Sequence, residues 1–157
     1  MTTPDPDRPN TIHWPPILYV GVLAGAWVLH RFWPLPAVLP EPWRSALGLP
    51  LLTAGLIVGA AALLRFRAER TSYDPTAPAR ALATGGIYRF TRNPMYLGAL
   101  AAFLGLGLWL ANTWLVAFVL PAAFALQALA IAREEAYLDR RFGEAYRDYR
   151  RRVRRWL

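Results

Sequence analysis

Two short polar segments hold the residue types with which this 157-residue chain could do chemistry. The first, Gly85 to Gly98, places Asn93 directly before Pro94. Asn is a preferred N-cap and Pro is favoured at the first helical position, so the pair predicts the start of a helix. A helix N-terminus also presents free N–H groups to a ligand carboxylate. A plain helix start and an anion-binding helix start both explain the pair.

The second segment, residues 133–146, opens with the adjacent acids Glu134 and Glu135 directly after an apolar stretch. A carboxylate at this place could hold a ribose diol or an ammonium group. It could equally face water or pair with an arginine. The sequence leaves both interpretations open.

The composition excludes several classes of site. The chain has no Cys and only two His, which removes disulfides, thiolate metal sites and a His-rich metal centre. With two Ser, a Ser-His-Asp triad would have to draw on scattered residues. We therefore predict no metal site.

The elements that position these segments are predicted to be membrane helices. Hydrophobic residues make up 55% of the chain and charged residues 18%. The apolar residues come in blocks of about 20, the length that crosses a ~30 Å hydrocarbon core. We predict an all-α integral membrane protein with four transmembrane helices at about 14–33, 45–64, 94–111 and 113–132. The last two form a hairpin that turns at Asn112-Thr113.

The remaining parts are assigned by the same reasoning. Residues 1–13 are polar and Pro-rich and are predicted to be a disordered tail, whereas residues 14–157 form a single domain. Residues 133–157 carry an amphipathic stripe. Two Gly-x-x-x-Gly spacings, Gly21/Gly25 and Gly55/Gly59, could mark close helix crossings or be ordinary membrane glycines.

All 18 basic residues are Arg, and the net charge is +8. In a membrane protein such an excess marks cytoplasmic loops and contact with anionic lipids, so we expect membrane lipids and no nucleic acid as partners. The loop 65–93 and the tail 133–157 hold most of the arginines, whereas the opposite loops offer Arg31 and Arg44. We predict a multi-pass protein of a bacterial or archaeal plasma (inner) membrane with both termini cytoplasmic.

Four pieces recur in the order and spacing of a known family. They are Leu82-Ala83-Thr84-Gly85-Gly86-Ile87-Tyr88, Arg92-Asn93-Pro94-Met95-Tyr96-Leu97-Gly98, Glu134-Glu135 and Phe142-Gly143-Glu144-Ala145-Tyr146-Arg147-Asp148-Tyr149. Together they resemble the isoprenylcysteine carboxyl methyltransferase and phospholipid N-methyltransferase family of membrane enzymes. The resemblance implies S-adenosylmethionine as cofactor, held by the cytoplasmic loop and the amphipathic tail.

By position, the resemblance assigns the cofactor contacts to Arg80, Ala81, Leu82, Ala83, Tyr88, Asn93, Pro94, Met95, Tyr96 and Glu134. For catalysis, we predict that Arg133 or Arg140 orients an anionic acceptor, and that an amine or thiol acceptor loses its proton to water or to Glu135. Asn93 stands where the family has His, and retains an N–H donor. Ala130 stands where eukaryotic isoprenylcysteine enzymes bind substrate through Arg, which argues against a prenylated-protein carboxylate.

We therefore predict a methyltransferase that acts on a lipophilic or small membrane-accessible carboxyl, amine or thiol. Two other classes remain open. One is a non-catalytic membrane scaffold or assembly protein on the same fold. The other is an Arg-rich membrane anchor that binds lipid or nucleic acid.

Overall fold

The computed structural model describes residues 13–69 and 78–157, and all the regular structure in these ranges is helical. The predicted tail lies outside the described residues apart from His13. The all-α prediction is confirmed for the described part of the chain. In order, the elements are α1 Trp14–Phe32, α2 Trp43–Ala68, a 3₁₀ turn Gly86–Arg89, α3 Pro94–Trp109, α4 Thr113–Leu126, a π-helical segment Gln127–Ile131, α5 Ala132–Phe142 and α6 Glu144–Arg152.

Two helices among the described residues are long and apolar enough to cross a membrane. They are the 26-residue α2 and the continuous 30-residue helix Thr113–Phe142. Each contains an 18-residue stretch of high mean hydropathy, 2.2 in the first and 2.3 in the second. Large apolar side chains on the second helix face outward, including Leu120 at 69% and Phe124 at 74% exposure. Such surface is costly in water and suits a bilayer. The apolar α3 is shorter, with 16 residues.

The two connections α1–α2 and α3–α4 lie together at one end of the bundle. Thr113 Oγ1 donates to the carbonyl of Pro36 at 2.6 Å, and Trp114 Nε1 donates to the carbonyl of Trp33 at 2.7 Å. The side chain of Asn112 caps α4 by accepting from the N–H of Leu115 at 3.0 Å. The chain turns at residues 110–112, so the turn lies slightly before the predicted Asn112-Thr113, where α4 already begins. Successive helices alternate in direction.

Glycines bring α2 and α3 into backbone contact. A Cβ added to Gly55 would lie 2.5 Å from both the carbonyl O of Gly98 and the backbone N of Ala102. One added to Gly48 would lie 2.8 Å from the carbonyl O of Gly105. Each helix therefore presents two glycines, seven residues apart, to its antiparallel neighbour. Small residues of this kind allow close helix approach where water supplies no driving force.

Of the predicted Gly-x-x-x-Gly residues, Gly55 directs its Cβ position into this crossing, and Gly59 contributes its backbone, whose N would lie 2.8 Å from a Cβ on Gly98. A Cβ on Gly21 or Gly59 would meet no described heavy atom within 4 Å, and one on Gly25 would touch only the ring of Phe118. The Gly21/Gly25 spacing therefore does not mark a close backbone approach between described helices.

The C-terminal helices fold back over the opposite end of the bundle. The helix that begins with α4 continues through the π-helical segment to Phe142 instead of ending near residue 132. Tyr137 Oη accepts from the N–H of Ala79 at 2.9 Å, and Tyr149 Oη donates to the carbonyl of Tyr88 at 2.7 Å. The residues before α3 and the C-terminal tail thus pack together, around a core of Ala62, Ala83, Tyr88, Tyr146, Tyr149 and Val153.

Candidate functional site

A cavity of about 380 Å³ lies where the start of α1, the second half of α2, the start of α3 and the start of α5 meet. Small-molecule sites occupy ~300–1,000 Å³, so the volume suits a cofactor-sized ligand. The lining residues are His13, Pro15, Pro16, Tyr19, Gly59, Phe66, Tyr88, Arg92, Asn93, Met95, Tyr96 and Glu134.

Tyr96 and Glu134 form a hydrogen bond inside this cavity. Tyr96 Oη donates to Glu134 Oε2 at 3.0 Å, which joins α3 to α5. The π-helical segment Gln127–Ile131 precedes Glu134. Because a π turn holds one residue more than an α turn, it rotates the following residues by roughly 100° about the helix axis. The segment therefore sets the direction in which Glu134 points.

The N-terminus of α3 opens onto the cavity. Pro94 is its first residue and Asn93 is the N-cap, as predicted, but no side chain caps the helix. The Nδ2 of Asn93 donates to the carbonyl of Arg155 at 2.9 Å instead. The first-turn N–H groups of Met95 and Tyr96 therefore have no intrahelical partner.

Glu135 faces away from the cavity into an ion-pair network. Its carboxylate accepts from Arg155 at 3.0 Å (Nε to Oε1) and 2.5 Å (Nη2 to Oε2), and Arg92 Nη1 lies 3.0 Å from Oε1. The Glu135 side chain is only 11% exposed. The hydrogen bond to Glu135 raises the pKa of Arg155. The structure thus gives Glu135 a role in holding the C-terminal segment, while its role as proton acceptor stays a prediction.

Arg92 is a lining residue to which the sequence analysis assigned no role. Its side chain is 10% exposed, and Nη1 donates to Tyr146 Oη at 3.2 Å as well as pairing with Glu135. Its Nε is buried without a hydrogen-bond partner. A buried donor without a partner is unfavourable, so this N–H is available to a ligand acceptor. Arg92 directly precedes Asn93-Pro94, and this position in the sequence marks it as a candidate site residue.

Aromatic rings form much of the remaining wall. Phe66 and Tyr88 lie 5.3 Å apart between ring centroids, and Tyr19 lies nearby in the lining. Burial, with a smaller contribution from the Glu134 carboxylate, raises the pKa of the Tyr88 hydroxyl, which therefore stays protonated at neutral pH. Such walls accept planar rings and cationic groups.

Apart from Glu135, the predicted site residues divide into three groups. Tyr88, Asn93, Met95, Tyr96 and Glu134 line the cavity together. Pro94 is buried at the helix start, and Leu82 and Ala83 belong to the core that supports Tyr88. Arg80, Ala81, Arg133 and Arg140 do not line the cavity; the three arginines are exposed and Ala81 is half-buried.

Comparison with known proteins identifies the family. The sequence model described as phospholipid methyltransferase matches residues 43–145, more than half of the chain, from the start of α2 into α6. The chain belongs to the phospholipid methyltransferase family. The resemblance drawn from the four sequence pieces is therefore confirmed. Family membership, with the two apolar helices, indicates a membrane methyltransferase.

Two curated relatives match parts of this phospholipid methyltransferase family member. The protein-S-isoprenylcysteine O-methyltransferase of Schizosaccharomyces pombe is 40% identical over 75 residues, which is 46% of this chain and 30% of the yeast protein. An uncharacterized protein of Haemophilus influenzae is 43% identical over 63 residues, which is 40% of this chain and the whole of that protein. The chain thus spans about a third of the length of the yeast enzyme.

Proposed function

We propose that this protein is an S-adenosylmethionine-dependent methyltransferase whose cofactor occupies the cavity around Tyr96 and Glu134. The acceptor is a lipophilic or small membrane-accessible carboxyl, amine or thiol. Residues 14–157 form one domain in which α1, α2, α3 and the α4–α5 helix cross the membrane four times, with the polar loop and tail cytoplasmic. The observation that carries the proposal is the hydrogen-bonded Tyr96–Glu134 pair beside the open N-terminus of α3.

The polar groups of the cavity fit the parts of this cofactor. The Glu134 carboxylate suits a ribose diol or an ammonium group. The carboxylate of the cofactor would be matched by the unpartnered Nε of Arg92 and by the first-turn N–H groups of α3. The rings of Tyr19, Phe66 and Tyr88 suit adenine or a sulfonium. When bound, the cofactor supplies a methyl group on positively charged sulfur.

The residues of the chain act by position and by excluding water. Tyr88 and Tyr96 form part of the cavity wall, and the tail packs against Tyr88 from behind. This wall would position a bound donor and acceptor and limit the access of water. Two guanidinium groups hold the Glu135 carboxylate in place, and we assign the acceptor proton to water or to Glu135. Arg133 and Arg140 lie outside the cavity, and we assign to them the role of attracting an anionic acceptor.

The packing of α1 and α2 supports a lipophilic acceptor. α1 packs against α4 and α2 packs against α3, with little direct packing between α1 and α2, although both line the cavity. Gly59 lines it from α2, and a Cβ there would meet no described atom within 4 Å. The space between α1 and α2 therefore gives an acyl or prenyl chain a route from the bilayer.

The test is cofactor affinity in Glu134→Gln. A hydrogen bond to a charged group is worth ~1.5–3 kcal/mol, so the variant should bind S-adenosylmethionine or its demethylated product roughly 10- to 150-fold more weakly in calorimetry. Glu144→Gln is the matched control, because Glu144 is exposed, lies outside the cavity and pairs with Arg147 and Arg151. Equal affinities in two folded variants would contradict the proposal.

A further inference from the structure

A second cavity, of about 350 Å³, lies beside the proposed cofactor site and has a different character. It is lined by Thr84, Gly85, Arg89, Tyr149, Arg152 and Val153. Tyr149 connects the two cavities, because its hydroxyl donates to the backbone carbonyl of Tyr88, which lines the first. The first cavity contains the carboxylate of Glu134, whereas no carboxylate of the described residues lines the second.

The second cavity concentrates positive charge from separate elements. Arg89 ends the 3₁₀ turn and Arg152 ends α6, so two distant parts of the chain deliver guanidinium groups to one place. Arg152 Nε donates to the backbone carbonyl of Asp148 at 3.3 Å, a contact that leaves its charge in place. Within the described residues, neither arginine forms an ion pair, whereas Arg147 and Arg151 on α6 do.

A third guanidinium group, that of Arg65, does not line the cavity but lies against the lining residue Gly85. The side chain of Arg65, near the end of α2, packs so closely on Gly85 that a Cβ there would collide with it. One nitrogen of Arg65 pairs with Glu69, but its Nε is buried without a hydrogen-bond partner. The absence of a side chain at Gly85 thus leaves room for Arg65 beside a cavity that Arg89 and Arg152 line.

We propose that this second cavity binds a phosphate group, carried by an anionic phospholipid headgroup or present as inorganic phosphate. Guanidinium groups match phosphate oxygens through paired N–H donors, and the hydroxyl of Thr84 adds a further donor. Through the contact of Gly85 with Arg65, the cavity lies near the C-terminal end of α2, a candidate membrane span. Lipid headgroups lie at the ends of such spans. The site is separate from methyl transfer and does not depend on the proposed function.

The test uses the full chain in an uncharged detergent. Short-chain phosphatidylglycerol and, separately, inorganic phosphate are titrated by calorimetry into the wild type and into the double variant Arg89→Gln/Arg152→Gln. Saturable binding should weaken at least tenfold in the double variant. Thr84→Asp, which places a carboxylate at the exposed edge of the cavity, should weaken it without removing an arginine. If only the lipid binds, the ligand of the site is a phospholipid headgroup. If lipid and inorganic phosphate bind with equal affinity, the ligand is free phosphate.

Arg150→Gln is the matched control, because Arg150 is exposed on α6 and does not line the cavity. It should bind as the wild type does, and affinity for the demethylated cofactor product should be unchanged in all variants. Absence of saturable binding to the wild type would overturn the proposal. So would equal affinities in the wild type and double variant, or an equal loss in Arg150→Gln, which would indicate attraction by net charge alone.

Discussion

The Nδ2 of Asn93 lies 2.9 Å from the carbonyl oxygen of Arg155, and this bond fastens the end of the chain to the start of α3. Thr91 Oγ1 donates to the same carbonyl at 3.1 Å, and the N–H of Arg92 donates to the carbonyl of Arg154 at 3.0 Å. Trp156 and Tyr96 both pack against the apolar core that contains Leu126 and Ile131. Residues 154–156 thus form a strap behind one wall of the cavity.

Asn93→Ala should loosen this strap. The buried amide contributes one neutral hydrogen bond, so we expect the free energy of unfolding to fall by about 1 kcal/mol, measured by thermal unfolding in a mild detergent. Asn93→His, which retains an N–H donor, should lose less. A larger loss in the His variant than in the Ala variant would contradict a donor role for Asn93.

Arg155→Gln should destabilise the protein through Glu135. The carboxylate is 11% exposed and would keep only Arg92 as an ionic partner, whereas Arg155 is 41% exposed, which limits the cost to about 1–2 kcal/mol. Arg151→Gln removes an exposed arginine that pairs with Glu144 and Asp148, and should change stability by less than ~0.5 kcal/mol. Unfolding midpoints of the two variants in the same detergent give the comparison, and equal midpoints would speak against the network.

Gly55→Ala should separate α2 from α3. The added Cβ would lie 2.5 Å from the backbone of the facing helix, which must move, and overpacking of this kind costs ~1–3 kcal/mol. Gly21→Ala is the matched control, since its Cβ meets no described atom within 4 Å and alanine favours a helix. The prediction fails if both variants unfold at the wild-type temperature.

The proposed topology places Ala145 in the cytoplasm and Ala37 on the other side of the membrane. The chain has no Cys, so single Cys residues at these two exposed positions can be labelled without background. In intact cells an impermeant thiol reagent should modify Ala37→Cys and spare Ala145→Cys until the cells are opened. The reverse labelling pattern would show that the topology is inverted. Labelling of both residues in intact cells would exclude the proposed topology.

Local features of the chain predicted a large part of the fold. Pro94 begins α3 and Asn112 caps α4 because both effects depend only on adjacent residues. The ordered pieces around Tyr88, Asn93 and Glu134 identified the family and residues that line one cavity. These features can be predicted from the sequence because each depends on residue type and short spacing.

Tertiary structure decided which of these residues meet which partners. Glu134 and Glu135 are adjacent in sequence, yet one faces Tyr96 in the cavity and the other faces Arg92 and Arg155. The reason is that neighbouring helical residues point about 100° apart, and the π-helical segment before them fixes the absolute direction.

The ion pairs and the α2–α3 crossing depend in the same way on how distant helices dock. Among 18 arginines, no local pattern marks Arg155 as the partner of Glu135. Likewise Gly98 and Gly105 acquire their role only when Gly55 and Gly48 lie opposite them. Sequence therefore determined the helices, their apolar character and the family, whereas long-range packing determined the cavity, its free donors and the strap that supports it.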